Sequence, residues 1–592
     1  MLGLAASTPA ALHAQPPEPV RYTLRFPAPH THYVEVEARV PTDGRPRVEL
    51  MMPIWTPGSY LAREYARHVE SVAARSADGR PLAVRKSRKN RWTVDTAGVP
   101  TFVLTYRVYG REMTVRNNWI ERDLAILNGA PTFITLASDR RRPHDVTVLV
   151  PRDWPTVVTP LDDARDGAPH HYVAPDYDTL VDSPIVAGSP RVDVFEVSGK
   201  RHYLVTEGAE GMFDADRAVR DVERIVRAAE RLWGSLPYDR YVFFNMLTGP
   251  GGGLEHKAST LMMSDRWQTG TRAGYLGWLS LVSHEYFHAW NVKRLRPVEL
   301  GPFDYENEVY TTSLWEAEGF TDYYADLVIR RAGLSSDDEL LAAVGDQIRQ
   351  LQTTPGRQLQ SAADASYDAW IKQYRPDENS PNTSISYYVK GAVLAFVLDA
   401  RIRTSTNGAR TLDDGLRLAY QRFSGERGYT REELARTMSE VADADLGPWF
   451  ATAVDSTREI DYDETLKWLG LRFKTAPDAP AAAWLGLTTR VDAGRLLVSQ
   501  VVRGTPAHDA GFNVDDELLA IGELRVTAEQ WPARLRHYRP GQTVSVLVAR
   551  RDKLTRLEVT LAVEPGTTWS LEIAPDATDA QKARLRAWMT GS

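Results

Sequence analysis

The hydrophobic period changes along this chain, and that change limits what it can fold into. From about residue 22 to 197 apolar residues recur every second position, as in 33–40 (YVEVEARV) and 103–109 (VLTYRVY), with Pro/Gly clusters such as 56–59 between the runs. Alternation of this kind, broken by turn residues, describes half-buried strands. The spacing then turns helical: Ala218, Val219, Val222, Ile225, Val226, Ala229, Leu232 and Trp233 lie on one face and stop at Gly234. A strand is expected over 241–247, followed by helices over 275–293 and 308–332 and a mostly helical run from 337 to 453. Beyond a linker-like stretch at 475–483 (TAPDAPAAA), strands return at 496–502, 517–521 and 543–548, around a short helix at 529–537. A final helical stretch at 580–589 reads as a tail.

At 592 residues the chain exceeds one hydrophobic core, and about three to five domains are expected. The reading is a multidomain α+β protein: a β domain over 16–200, an α+β domain over 201–335, a helical domain over 336–460, a β-rich module over 461–566 and a tail over 567–592. A net charge of -7 argues against nucleic acid as a partner. No segment has the roughly 20 apolar residues of a membrane span. Residues 1–15 are small and apolar without a basic start, which reads as a remnant signal peptide and a periplasmic or secreted protein, with a cytoplasmic one as the alternative.

There are no cysteines, so any metal site must use His, Asp and Glu. His284 and His288 lie four apart in a segment expected to be helical, so both imidazoles can reach one ion. Glu285 then lies beside that ion, placed to take a proton from bound water. A catalytic zinc needs a third protein ligand. Glu306 and Glu308 are available, but Glu318 is preferred because Asp322, one helical turn on, can accept the second ring N–H of a ligating histidine.

The segments 284–297 (HEYFHAWNVKRLRP), 315–324 (WEAEGFTDYY) and 55–60 (WTPGSY), together with the terminal module, resemble the glycyl aminopeptidase family. That resemblance implies a thermolysin-like zinc peptidase (a gluzincin) with one Zn2+ per chain, an N-terminal antiparallel β domain and a C-terminal PDZ domain. It implies an aminopeptidase acting on peptides with a free amino terminus, Gly or Ala preferred. Gly252-Gly253-Leu254-Glu255-His256 resembles the aminopeptidase segment whose Glu binds the substrate ammonium, with His256 in place of the usual Asn. Tyr388 resembles the tyrosine that steadies the oxyanion, and Tyr387 is its neighbouring rival. Leu485-Gly486-Leu487 is placed like the PDZ loop that binds a peptide or protein C-terminus, although the same tetrapeptide WLGL also occurs at 468–471. A zinc endopeptidase and a PDZ scaffold with a degenerate peptidase site are the alternatives.

Overall fold

A computed structural model describes residues 17–474, 482–564 and 569–591. The expected signal peptide at 1–15 and most of the linker at 475–483 lie outside the described residues.

The N-terminal domain is built from three sheets over one apolar core. Tyr33–Pro41 turns Val34, Val36, Ala38 and Val40 inward and pairs antiparallel with Thr101–Tyr109. The pairing is antiparallel throughout the largest sheet except between Val20–Arg25 and His144–Leu149, which run parallel.

The catalytic domain carries a five-stranded sheet in the order Arg191–Val197, Lys200–Glu207, Arg240–Met246, Ser259–Asp265, Thr248–Glu255. Thr248–Glu255 is the edge strand and runs antiparallel to its neighbour. The helix Ala215–Trp233 packs on this sheet, opened by Asp214, whose side chain accepts from Arg217 N, and closed by Gly234 at φ 87°.

Two expected helices are shorter than their apolar spacing suggests. The first is Arg272–Phe287, not 275–293. After it Asn291 turns the chain, donating to Ala317 O at 3.1 Å and Thr321 Oγ1 at 3.3 Å, so Trp290 and Leu295 are buried from a turn rather than from a helix face. The second begins at Leu314, not 308, and is interrupted at Glu318 before resuming as Gly319–Arg331. There the helix Tyr387–Ser405 crosses at backbone contact: a Cβ on Gly319 would fall 2.3 Å from Gly391 Cα, and one on Gly391 2.0 Å from Trp315 O. Only glycines permit that approach.

One apolar core runs through the catalytic sheet, its helices and the helical region. The terminal helix, Asp579–Thr590, belongs to it and is no free tail: Leu585, Trp588 and Met589 are buried, and Trp588 Nε1 donates to Tyr323 Oη at 2.6 Å. The β-rich module has its own small core. It is held at both ends, since Leu471–Phe473 before it pairs antiparallel with Leu571–Ile573 after it. Asn382, from the helical region, reaches the module by donating to Val501 O at 2.8 Å and accepting from Arg503 N at 2.9 Å.

Candidate metal centre and substrate cleft

The helix Arg272–Phe287 delivers His284 from its last turn, and His288 caps it with φ -60° and ψ -18°. The break at Glu318 aims that carboxylate back at both rings. Glu318 Oε2 lies 3.1 Å from His288 Nε2 and 3.6 Å from His284 Nε2, and the two Nε2 atoms are 3.1 Å apart. All three side chains are largely buried.

The other ring nitrogens are already committed. His284 Nδ1 donates to Asp322 Oδ1 at 2.7 Å, and His288 Nδ1 donates to Asn291 O at 2.9 Å. In the neutral rings both Nε2 lone pairs therefore face each other and a carboxylate. Three converging lone pairs in a buried space repel unless a cation sits among them. A tetrahedral zinc, at about 2.0–2.1 Å from each ligand, separates its donors by roughly 3.3 Å, so this donor set fits zinc. Burial alone depresses His284, but Asp322 first and Glu318 next raise it well above the ordinary histidine range. Burial likewise opposes the proton on His288, and Glu318 raises it. Glu318 is penalised by burial, but the two imidazoles hold it down at about 2.

Glu285 is buried beside this cluster, and its Oε2 has no hydrogen-bond partner among the described residues. Burial pushes its carboxyl up to about 7, with His284 and His288 pulling it down. A proton acceptor poised near neutrality suits general acid–base work. The edge strand passes so close that a Cβ on Gly253 would lie 2.0 Å from Glu285 Oε1. Glu255, at the end of that strand, is 4% exposed, and among the described residues no cation lies within ion-pair distance of it. Its lid comes from the β domain: a Cβ on Gly58 would fall 2.3 Å from Glu255 Oε1.

His256 turns away from the cleft. Its Nδ1 lies 3.1 Å from Asp182 Oδ1 of the β domain, on which Lys293 Nζ also converges. The other candidate ligands are engaged elsewhere: Glu306 pairs with Arg91 and accepts from Asn90 at 2.8 Å, and Glu308 accepts from Tyr310. Glu316 is wholly buried against Tyr429, and burial raises its carboxyl well above the ordinary range.

The ring of Tyr388 lies 6.3 Å from that of His284, and Tyr387 stacks behind it at 4.7 Å. Tyr387 is fully buried and its hydroxyl has no partner among the described residues, whereas Tyr388 is partly exposed. Burial, with Glu318 nearby, raises Tyr388 well above the ordinary phenol range, so it remains a neutral donor.

Sequence reasoning missed Tyr374, whose hydroxyl donates to Gly58 O at 3.3 Å, and Arg116, whose Nη2 donates to Gly253 O at 3.3 Å. Neither stands in a recognisable motif. The signal for Gly58 was present in the 55–60 segment.

In the terminal module Gly486 takes φ 78°, and its carbonyl accepts from Val502 N at 2.9 Å. Leu485 is buried, and Leu487 opens the strand Leu487–Asp492, which pairs on one side only among the described residues. The duplicate tetrapeptide is the end of the helix Asp463–Leu469, with Gly470 as its left-handed cap.

Comparison with known proteins agrees with this architecture. Residues 21–189 match the N-terminal domain of peptidase M61, 277–394 match M61 glycyl aminopeptidase, and 469–561 match a PDZ domain. No curated protein matches the chain. Among solved structures, the aminopeptidase N family protein from Idiomarina loihiensis is 27% identical and covers 96% of this chain and 100% of its own, at a TM-score of 0.89. Two remoter likenesses are yeast LTA4 hydrolase in complex with bestatin (15% identity, 76% of this chain and 69% of its own, TM-score 0.45) and a mutant of an M1 zinc metallopeptidase from Deinococcus radiodurans (13% identity, 75% and 94%, TM-score 0.46).

Proposed function

The chain belongs to the M61 glycyl aminopeptidase family of metallopeptidases, and from that premise we propose that it removes the N-terminal residue, Gly or Ala, from peptides, using one zinc per chain. The observation that carries the exopeptidase reading is Glu255. A carboxylate that is 4% exposed beside a metal centre, with no cation partner among the described residues, is a site for an ammonium group.

His284, His288 and Glu318 would hold the zinc, with Asp322 and Asn291 fixing the ring tautomers. When bound, zinc supplies Lewis acidity and lowers the pKa of a water. Glu285 takes the proton of the attacking water on its carboxylate and returns it to the leaving amine. Glu255 fixes the substrate's amino end and so places the first peptide bond over Glu285. Tyr388 donates to the oxygen that gains charge on the scissile carbonyl. Gly252 and Gly253 keep the edge strand free of side chains, so that peptide backbone can lie along it. The Gly or Ala preference follows the family. The terminal module is assigned a peptide or protein C-terminus as its ligand, through the loop at Leu485, Gly486 and Leu487.

The test compares Ala-Ala-Ala with its N-acetylated form on the zinc-loaded protein. The acetylated peptide should be cleaved at least a hundredfold more slowly, and Glu255→Gln should lose most of the activity on the free one. Equal cleavage of both peptides would assign an endopeptidase instead.

A further inference from the structure

Two guanidinium groups of the β domain lie near the Gly58 segment and the edge strand, and no described residue gives either an acidic partner. Arg116 reaches the edge strand at Gly253 O, and a Cβ on Gly252 would stand 3.9 Å from its Nη1. Its Nε is buried and has no hydrogen-bond partner among the described residues. Arg63 Nη1 donates to carbonyls of its own segment, Leu61 O at 3.2 Å and Ser59 O at 3.5 Å. Among the described residues neither arginine has a carboxylate within ion-pair distance.

The two act on the same neighbours. Burial raises the Tyr65 hydroxyl to about 12 against the pull of both arginines, and burial raises Tyr374 while Arg116 opposes it. The Tyr374 hydroxyl touches Gly58 O, and Gly58 abuts Glu255. Arg116 therefore lies in the same cleft as the ammonium site, displaced along the edge strand, and Arg63 sits on the Ser59–Leu61 segment next to Gly58.

The displacement has a length. From Glu255 to Gly253 and Gly252 is two to three residues, or roughly 7–10 Å at about 3.3 Å per residue. An extended dipeptide or tripeptide separates its ammonium from its carboxylate by a similar span, at roughly 3.3–3.6 Å per residue. A buried anion at one end and two unpaired cations at the other are the electrostatic complement of a short zwitterion. Arginine forks suit carboxylates in particular, because two N–H groups can meet both oxygens.

We propose that Arg63 and Arg116 form a carboxylate subsite that grips the far end of a peptide whose amino group rests on Glu255. This deepens the aminopeptidase reading and rests on it. The carboxylate comes either from the C-terminus of a dipeptide or tripeptide or from an acidic side chain two or three residues from the amino end.

The experiment measures kcat and KM of the full-length, zinc-loaded protein on two matched pairs: Ala-Ala-Ala against its C-terminal amide, and Ala-Asp-Ala-amide against Ala-Asn-Ala-amide. At least one pair should favour the carboxylate by about tenfold in kcat/KM, chiefly through KM, and the pair that does so identifies the source. Arg116→Gln and Arg63→Gln should erase that preference while still cleaving the neutral peptide, and Arg116→Lys should restore part of it. Equal rates within both pairs in the wild-type protein would overturn the subsite while leaving the aminopeptidase reading intact. Variants that slow charged and neutral peptides alike would also overturn it. If no free-amine peptide were cleaved at all, the aminopeptidase reading itself would fail.

Discussion

Asp182, in the β domain, accepts a hydrogen bond from Lys293 Nζ of the catalytic domain at 2.7 Å, and the pair is largely closed to solvent. The same carboxylate faces His256 and accepts from Lys257 N at 2.7 Å, next to the Glu255 anchor. Burial would raise Asp182, but Lys293 and His256 hold it well below the ordinary carboxylate range. Asp182→Ala strands a buried ammonium, so the expected cost is about 3–5 kcal/mol of stability. Urea denaturation should show it, together with a raised KM for free-amine peptides. A loss under about 1 kcal/mol would mean that Lys293 finds another partner.

Glu285→Gln keeps the shape of the site and removes the proton acceptor. Zinc content should stay at one per chain while kcat falls by about 10²–10⁴. Elemental analysis beside single-substrate kinetics separates loss of chemistry from loss of metal. Retained activity in a zinc-bearing mutant would remove Glu285 from the mechanism.

Zinc binding should expel protons. His284 and His288 both have raised pKa values in the metal-free chain, so each retains its proton to higher pH than an ordinary histidine. Zinc needs the unprotonated Nε2 atoms, so its affinity should rise from pH 6 to pH 8. Calorimetry at pH 7 in buffers of different ionisation heat should report net proton release. Heats that do not depend on the buffer would contradict these shifts.

Gly253 and Gly58 are held by clearance. Gly253→Ala drives a methyl group into Glu285, and Gly58→Ala drives one into Glu255 while also occupying a left-handed backbone at φ 86°. The expected outcome is a fall of at least about tenfold in kcat for Gly253→Ala and a rise of at least about tenfold in KM for Gly58→Ala. Gly58→Ala should also lose about 1–2 kcal/mol of stability. Unchanged kinetics in both would show that the cleft is wider than these contacts allow.

Acid should weaken the protein through two histidines remote from the metal. Burial lowers His144 and His202 to about 4, where one meets Thr135 Oγ1 at 3.0 Å and the other Tyr238 Oη at 2.8 Å. A depressed folded pKa gives stability that is fully present above the unfolded value of about 6.5 and is lost as pH falls toward 4. Each contributes at most about 3 kcal/mol. Urea midpoints at pH 7.5 and 4.5 should differ accordingly, and His144→Gln should flatten the difference.

The chemistry at 284–288 was legible because both histidines and Glu285 sit within one helical turn, where spacing in sequence is spacing in space. The β domain was legible for the same reason, through alternation along single strands. The helix ends were not. Trp290 and Leu295 continue the apolar pattern past Phe287, and only Asn291's hydrogen bonds to the next helix pair reveal the turn. The break at Glu318 lies where Gly391, distant in sequence, crosses at backbone contact. Tyr374, Arg116 and Asp182 escaped notice because each acts across a domain boundary, where residue type alone carries no signal. Resemblance supplied Glu255 and Tyr388, which spacing could not.

The strand pair Leu471–Phe473 with Leu571–Ile573 bears on how the terminal module can move and be removed. Entry and exit of the module are stapled side by side, so it is an insertion into the helical body, not a pendant on a single thread. Asn382 adds a further contact between that body and the module, at Val501 and Arg503. Truncation before the module would also strip away the helix carrying Trp588 and open a hole beside Tyr323. Excision between the two stapled strands, bridged by a short turn, would spare that helix and yield a peptidase without its appendage.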